Sequence, residues 1–178
     1  MSGLLKRLFL YCKNNRHELL ILSGIILAGI FLRTYRFHDL LTFAADQRRD
    51  LHLVQDVVEN HAAWPLLGPD MTGGEGFRLG PAYYYFQILS AEIFGVEKTH
   101  QAYPDVFFSI LSIPLLYHFL RRYFSQKASL AAVCIYAFSA FDITYSRFAW
   151  NVNLLPFFIL LFLLSLLLLV SLLHILHP

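Results

Sequence analysis

The sequence predicts an all-α integral membrane protein with about four transmembrane helices and two further helices lying at the membrane surface. Three observations predict it. Of 178 residues, 57% are hydrophobic and only 15% are charged, far from the globular mix of about half apolar and a quarter charged. The apolar residues form long runs instead of recurring at helix or strand periods, so lipid is the solvent for much of the chain. The Lys and Arg residues sit at the ends of those runs, where they report topology.

The run from Leu154 to Leu173 is twenty residues interrupted only by Pro156 and Ser165, and at about 1.5 Å per residue it covers the hydrocarbon thickness of about 30 Å. Residues 128–146 and 103–121 make two more spans, the latter carrying Pro114 and His118. His118 is expected to be a hydrogen-bonded core histidine, since no acidic or cysteine partner stands at ligand spacing. The first span, about 17–36, is built on the apolar stretch Leu19 to Leu32. Lys6, Arg7, Lys13 and Arg16 precede that stretch and Arg33 and Arg36 follow it, with no small-residue cleavage site. An uncleaved signal anchor is the expected reading.

Pro81 to Gly95 has Pro at a helix start and Gly at its end but is too short to cross, and it contains Gln87 and Glu92. Placing it in the interface puts the N-terminal basic cluster and the loop of Arg121, Arg122 and Lys127 on one side, which the positive-inside rule makes cytoplasmic. The outer loop, about 38–102, then holds nine acidic residues against four basic ones. A multi-pass protein of the cytoplasmic membrane with its N-terminus in the cytoplasm is expected. The net charge of +2 gives no reason to expect a nucleic-acid partner. Cys12 and Cys134 make neither a disulfide framework nor a cysteine metal site, and the spans carry no charged pathway of the kind transporters use.

Within the outer loop, residues 44–60 read as an amphipathic helix. Gln55, Arg48, Glu59, His52, Asp56 and Arg49 share one face, and Leu53, Val57, Val54, Val58 and Leu51 the other. Asp46 and Asp50, one turn apart, fall inside the apolar arc, where a carboxylate is costly without a partner and its acidity can move into a catalytic range. The plainer alternative is an N-terminal cap and a structural ion pair. The segment 64–80, rich in Pro and Gly, bends back to deliver Tyr83-Tyr84-Tyr85 to the headgroup level, an aromatic belt if it does nothing else.

Taken in order, Arg33, Asp46-Gln47-Arg48-Arg49-Asp50, Pro65-Leu66-Leu67-Gly68-Pro69, Gly80-Pro81-Ala82-Tyr83-Tyr84-Tyr85 and Tyr145-Ser146-Arg147-Phe148-Ala149-Trp150-Asn151 resemble the N-terminal part of the GT-C membrane glycosyltransferases, in particular the bacterial family 39 and aminoarabinose-transferase-like group. The resemblance runs from about Leu19 to the last span. It implies a partial GT-C fold, with two juxtamembrane helices in the first outer loop and further spans beyond those present here. It also implies transfer of a sugar from a polyprenyl-phosphate carrier to a lipid, glycan or protein acceptor outside the cytoplasm.

By the same resemblance Asp46 is the catalytic residue, a general base. The transfer chemistry then makes Arg49 or Arg147 the phosphate partner, a role suited to the guanidinium fork, and Asp50, Tyr84 and Asn151 substrate contacts, although a turn between two spans also favours Asn at 151 and 153. For Arg147, reaching to the interface is an equal alternative, and a pairing with Asp142 is a structural one. Gln47 stands where relatives often carry a second acid, which leaves a divalent metal open and no cofactor fixed. The alternative function is a non-catalytic membrane accessory or lipid-binding scaffold.

Overall fold

The computed structural model describes residues 15–70 and 76–176. Lys6, Arg7 and Lys13, which entered the topology argument, lie outside them, as do Cys12 and, in the bend, Gly73 and Gly74. The regular structure of the described residues is helical, joined by turns and irregular segments with two isolated β-bridges, Thr42 with Phe148 and Asp70 with Arg78. In chain order the helices are α1 (Arg16–Thr34), α2 (Ala45–Val58), α3 (Ala82–Phe94), a short α4 (Lys98–Gln101), α5 (Tyr103–Leu120), α6 (Gln126–Phe138), α7 (Ala140–Tyr145), a 3₁₀ turn (Asn151–Leu154) and α8 (Leu155–Leu176).

Three helical stretches among the described residues are long and apolar enough to cross a membrane, namely Arg16–Thr34, Lys98–Leu120 and Asn151–His174. On α8 the apolar residues face outward all round: Ile159, Phe162, Leu168 and Leu172 are exposed, and lipid is the solvent that makes this tolerable. The segment 128–146 differs from the uninterrupted span that hydropathy predicts. It is two helices, thirteen and six residues long, with Ser139 between them in extended conformation (ψ 118°). Ser139 Oγ accepts from the Asp142 amide at 3.3 Å, capping α7 as α6 ends. The thirteen residues of α6 rise only about 20 Å.

The spans meet around Ile25, Ile113, Tyr117, Val133 and Ala137. Gly29 permits the approach of α1: a Cβ there would stand 2.6 Å from Ile113 Cδ1 and 3.7 Å from Ala137 Cβ. Beside this contact the Arg33 guanidinium is fully buried. Its Nε donates to Ser109 Oγ at 2.8 Å and its Nη1 to Ala137 O at 2.9 Å. At the opposite end of α1, buried Glu18 accepts from the Tyr117 hydroxyl and from Arg121 Nε at 3.0 Å. His118 is not the core histidine expected: one residue further round α5 than buried Tyr117, it is exposed beside Arg122.

At the Arg33 end, α2 and α3 pack through Val54, Val57, Ile88 and Ala91. Tyr83 and Tyr84 of α3 pack with Phe108 and Leu154, joining this pair to α5 and to the turn before α8. Pro81 precedes α3, and Gly95 ends it with φ +97°, a conformation open to glycine. Leu89, Ile93 and Phe94 on the far side of α3 are exposed, an apolar surface suited to the membrane boundary.

Candidate active site

The start of α2 is tied down before its first turn closes. Gln47 Oε1 accepts from the Ala44 amide at 3.0 Å, and its Nε2 donates to Ala149 O at 2.9 Å. Gln101 Nε2 donates to Gln47 O at 3.0 Å, and Thr42 N to Arg147 O at 3.3 Å. Gln47 therefore joins α2 to the segment between α7 and α8, and it is almost wholly buried.

The buried stripe of α2 is Gln47, Asp50, Val54 and Val57. It has the same centre as the expected arc but is narrower, and the two aspartates separate because Asp46 falls just beyond its edge. Asp50 is 7% exposed at its side chain and Asp46 is 62% exposed. The expectation that both acids lie against an apolar surface holds for Asp50 alone, because the first turn of α2 begins before its packing against α3 does. Arg49 spans the two: Nε and Nη2 donate to Asp50 Oδ1 at 2.9 and 2.8 Å, and Nη1 lies 3.4 Å from Asp46 Oδ1. Burial raises the pKa of Asp50, with Arg49 pulling it back and Asp46 adding to the rise.

Asp46, Arg49 and Asp50 form one side of a cleft of about 330 Å³, whose other walls are Asp70 and Leu79, Tyr84 of α3, and Trp150, Asn151 and Val152. Asp70 is held by Arg78 Nε at 2.9 Å, and two backbone bonds, Gly68 N to Leu79 O and Leu79 N to Pro69 O, close that wall. Gly68 presses on Tyr84, since a Cβ there would fall 2.5 Å from the ring and 3.0 Å from Leu79 O. Burial first, and Asp50 second, raise the Tyr84 phenol to about 12, so it remains a hydrogen-bond donor at neutral pH.

The three successive tyrosines do not form a belt. Tyr83 donates to Asp105 Oδ2 at 3.0 Å, Tyr84 lines the cleft, and Tyr85 donates to Pro65 O at 2.8 Å beside the Trp64 ring. Asn151 also lines the cleft. Arg147 is turned elsewhere: its guanidinium donates to the Leu32, Arg33 and Tyr35 carbonyls, capping the end of α1. The ion pair expected between Asp142 and Arg147 is absent among the described residues, because those carbonyls take the guanidinium. Two residues that sequence reasoning passed over prove central. Trp150 walls the cleft, and Asp105, wholly buried, accepts from the Trp150 amide and from Asn153 Nδ2, both at 3.1 Å.

Residues 79–174, more than half of the chain, match the model of the dolichyl-phosphate-mannose-protein mannosyltransferase family. The chain belongs to this family. No curated protein and no solved structure matches it. The mannosyltransferase match takes in Tyr84, Asp105, Arg147 and Trp150 to Asn153 and begins after α2. Asp46, Arg49 and Asp50 are thus joined to the matched region by the cleft itself. The family consists of membrane glycosyltransferases, and it implies a lipid-linked sugar donor and an acceptor. Among the described residues no three His, Cys, Asp or Glu side chains are gathered as metal ligands. Asp46 and Asp50 face the Arg49 guanidinium, an arrangement that does not fit a divalent ion.

Proposed function

We propose that this cleft serves sugar transfer from a polyprenyl-phosphate donor to an acceptor hydroxyl or amine on the extracytoplasmic side of the cytoplasmic membrane. The observation that carries the reading is the triad Asp46, Arg49 and Asp50 at the mouth of a cleft backed by Tyr84 and Trp150. An exposed carboxylate and a cation fixed in place stand within one turn of each other beside apolar spans.

In the proposed step Asp46 takes the acceptor's proton as its oxygen or nitrogen attacks the anomeric carbon. The bond between that carbon and the phosphate oxygen breaks, and the polyprenyl phosphate leaves with the added negative charge. Arg49 stabilises the departing phosphate, and buried Asp50 holds the Arg49 fork in position. Tyr84 offers its hydroxyl, and Asn151 its side-chain amide, to the sugar.

The test is transfer of labelled sugar from membrane polyprenyl phosphate by cells or membranes carrying the protein in its natural full length. Asp46→Asn abolishes transfer while the protein still inserts. Undiminished transfer by that variant refutes the assignment. Binding of the lipid phosphate without any turnover by the unmodified protein would instead support the scaffold alternative.

A further inference from the structure

Among the described residues Asp105 is the most deeply buried carboxylate, and no cation among them pairs with it. It lies in the first turn of α5, where the helix N-terminus favours negative charge. Three donors surround it. The Tyr83 hydroxyl comes from α3, while the Trp150 amide and Asn153 Nδ2 come from the segment before α8. Asn153 Nδ2 is shared with the Tyr145 carbonyl at 2.8 Å and with the Phe148 carbonyl, which fixes the shape of that segment. Buried carboxylates that accept several hydrogen bonds hold their donors in defined geometry and are costly to remove.

What the donors carry gives the contact its meaning. The residue after Tyr83 is Tyr84, and the residues after the Trp150 amide are Asn151 and Val152, so Asp105 holds together the two cleft walls that face α2. We infer that Asp105 is a positioning residue for the cleft: its carboxylate sets the Trp150–Val152 wall against the Tyr84 wall without touching what binds between them. Acceptor capacity, rather than charge, is what this role needs. An Asn at this position keeps one oxygen for Trp150 N and Asn153, and its amide can donate to a Tyr83 hydroxyl turned round as acceptor. A Leu keeps neither.

The inference rests on the reading of the cleft as a lipid-phosphate site, and the experiment separates the two. The chain has two tryptophans, so in a Trp64→Phe background the emission of the purified protein in detergent reports Trp150 alone. Asp105→Leu is expected to move that emission to longer wavelength, raise its quenching by acrylamide, and weaken binding of farnesyl phosphate, the probe, by about tenfold, the loss of one to two hydrogen bonds' worth of alignment. Asp105→Asn is expected to restore all three toward the unmodified values. Should Asp105→Leu fail to insert, Asn153→Leu, which leaves the Tyr83 contact intact, is read by the same measures. Unchanged emission and quenching in the Leu variant that folds, or an Asn variant as damaged as the Leu one, overturns the positioning role. If farnesyl phosphate binds no form of the protein, the lipid-phosphate reading falls while emission and quenching still decide the inference.

Discussion

Arg49 grips one oxygen of Asp50 with two nitrogens, Nε at 2.9 Å and Nη2 at 2.8 Å, and leaves Nη1 directed at Asp46. One guanidinium therefore serves a buried acid and an exposed acid at once, and substitutions of Arg49 affect stability and the cleft together.

Arg49→Ala strands the Asp50 carboxylate and is expected to cost about 1–3 kcal/mol, a buried-pair penalty reduced because Arg49 itself is partly exposed. The pKa of Asp50 is already raised by burial, and losing Arg49 raises it further. A carboxyl whose folded pKa exceeds its unfolded value of about 3.9 stabilises the fold at lower pH and loses that contribution as pH rises through the folded value. Thermal unfolding in detergent should therefore show a larger deficit for Arg49→Ala at neutral pH than near pH 4, and an equal deficit at both would contradict the pairing.

Gln47→Glu places a third acid at the start of α2 and is expected to harm this protein. A carboxylate cannot donate to the Ala149 carbonyl, and leaving that contact unmade in a buried place costs about 1–3 kcal/mol. The check is a lowered unfolding midpoint with no gain in sugar transfer. Increased transfer would mean that the position is catalytic after all.

Arg147→Ala uncaps the end of α1 and is expected to destabilise by about 1.5–3 kcal/mol, the range for hydrogen bonds to charged groups. Farnesyl phosphate affinity, measured below the unfolding transition, should hardly change. Collapsed affinity with unchanged stability would return Arg147 to the phosphate site.

For Tyr84, a pKa raised to about 12 means that the phenol favours the fold below the unfolded value of about 10 and ceases to do so as pH rises through about 12. Absorbance titration of the unmodified protein minus Tyr84→Phe should show one phenolate appearing near the upper value. A single ionisation near pH 10 would show that Tyr84 is solvated.

The long spans could be read directly, because an apolar run of sufficient length has one stable home and needs no partner to be recognised. The boundaries of α3 were marked by Pro81 and Gly95 for similarly local reasons. The break at Ser139 was written in the sequence as Ser139-Ala-Phe-Asp142, a cap pattern, but it sits inside an apolar run that hydropathy averages away. The helical wheel found Asp50 and misplaced Asp46, since the apolar arc is wider than the stripe that packing actually buries and Asp46 sits at its edge. Arg147 and Asp105 were beyond reach for another reason. The partners of Arg147 are backbone carbonyls more than a hundred residues away, which leave no mark on residue identity. Asp105 is defined by donors from two distant segments, and one of these is again a main-chain amide.

The interruption at Ser139 also bears on how the protein comes together in lipid. Ending α6 early gives Tyr136 O the Ser139 amide but leaves the Ala137 carbonyl without the amide of a following turn, and hydrocarbon offers none. Arg33 supplies the missing donor to Ala137. That broken segment therefore depends on α1 for a donor that lipid cannot give, so side-by-side docking of these two non-consecutive helices, more than the hydropathy of either, decides whether that part of the bundle persists.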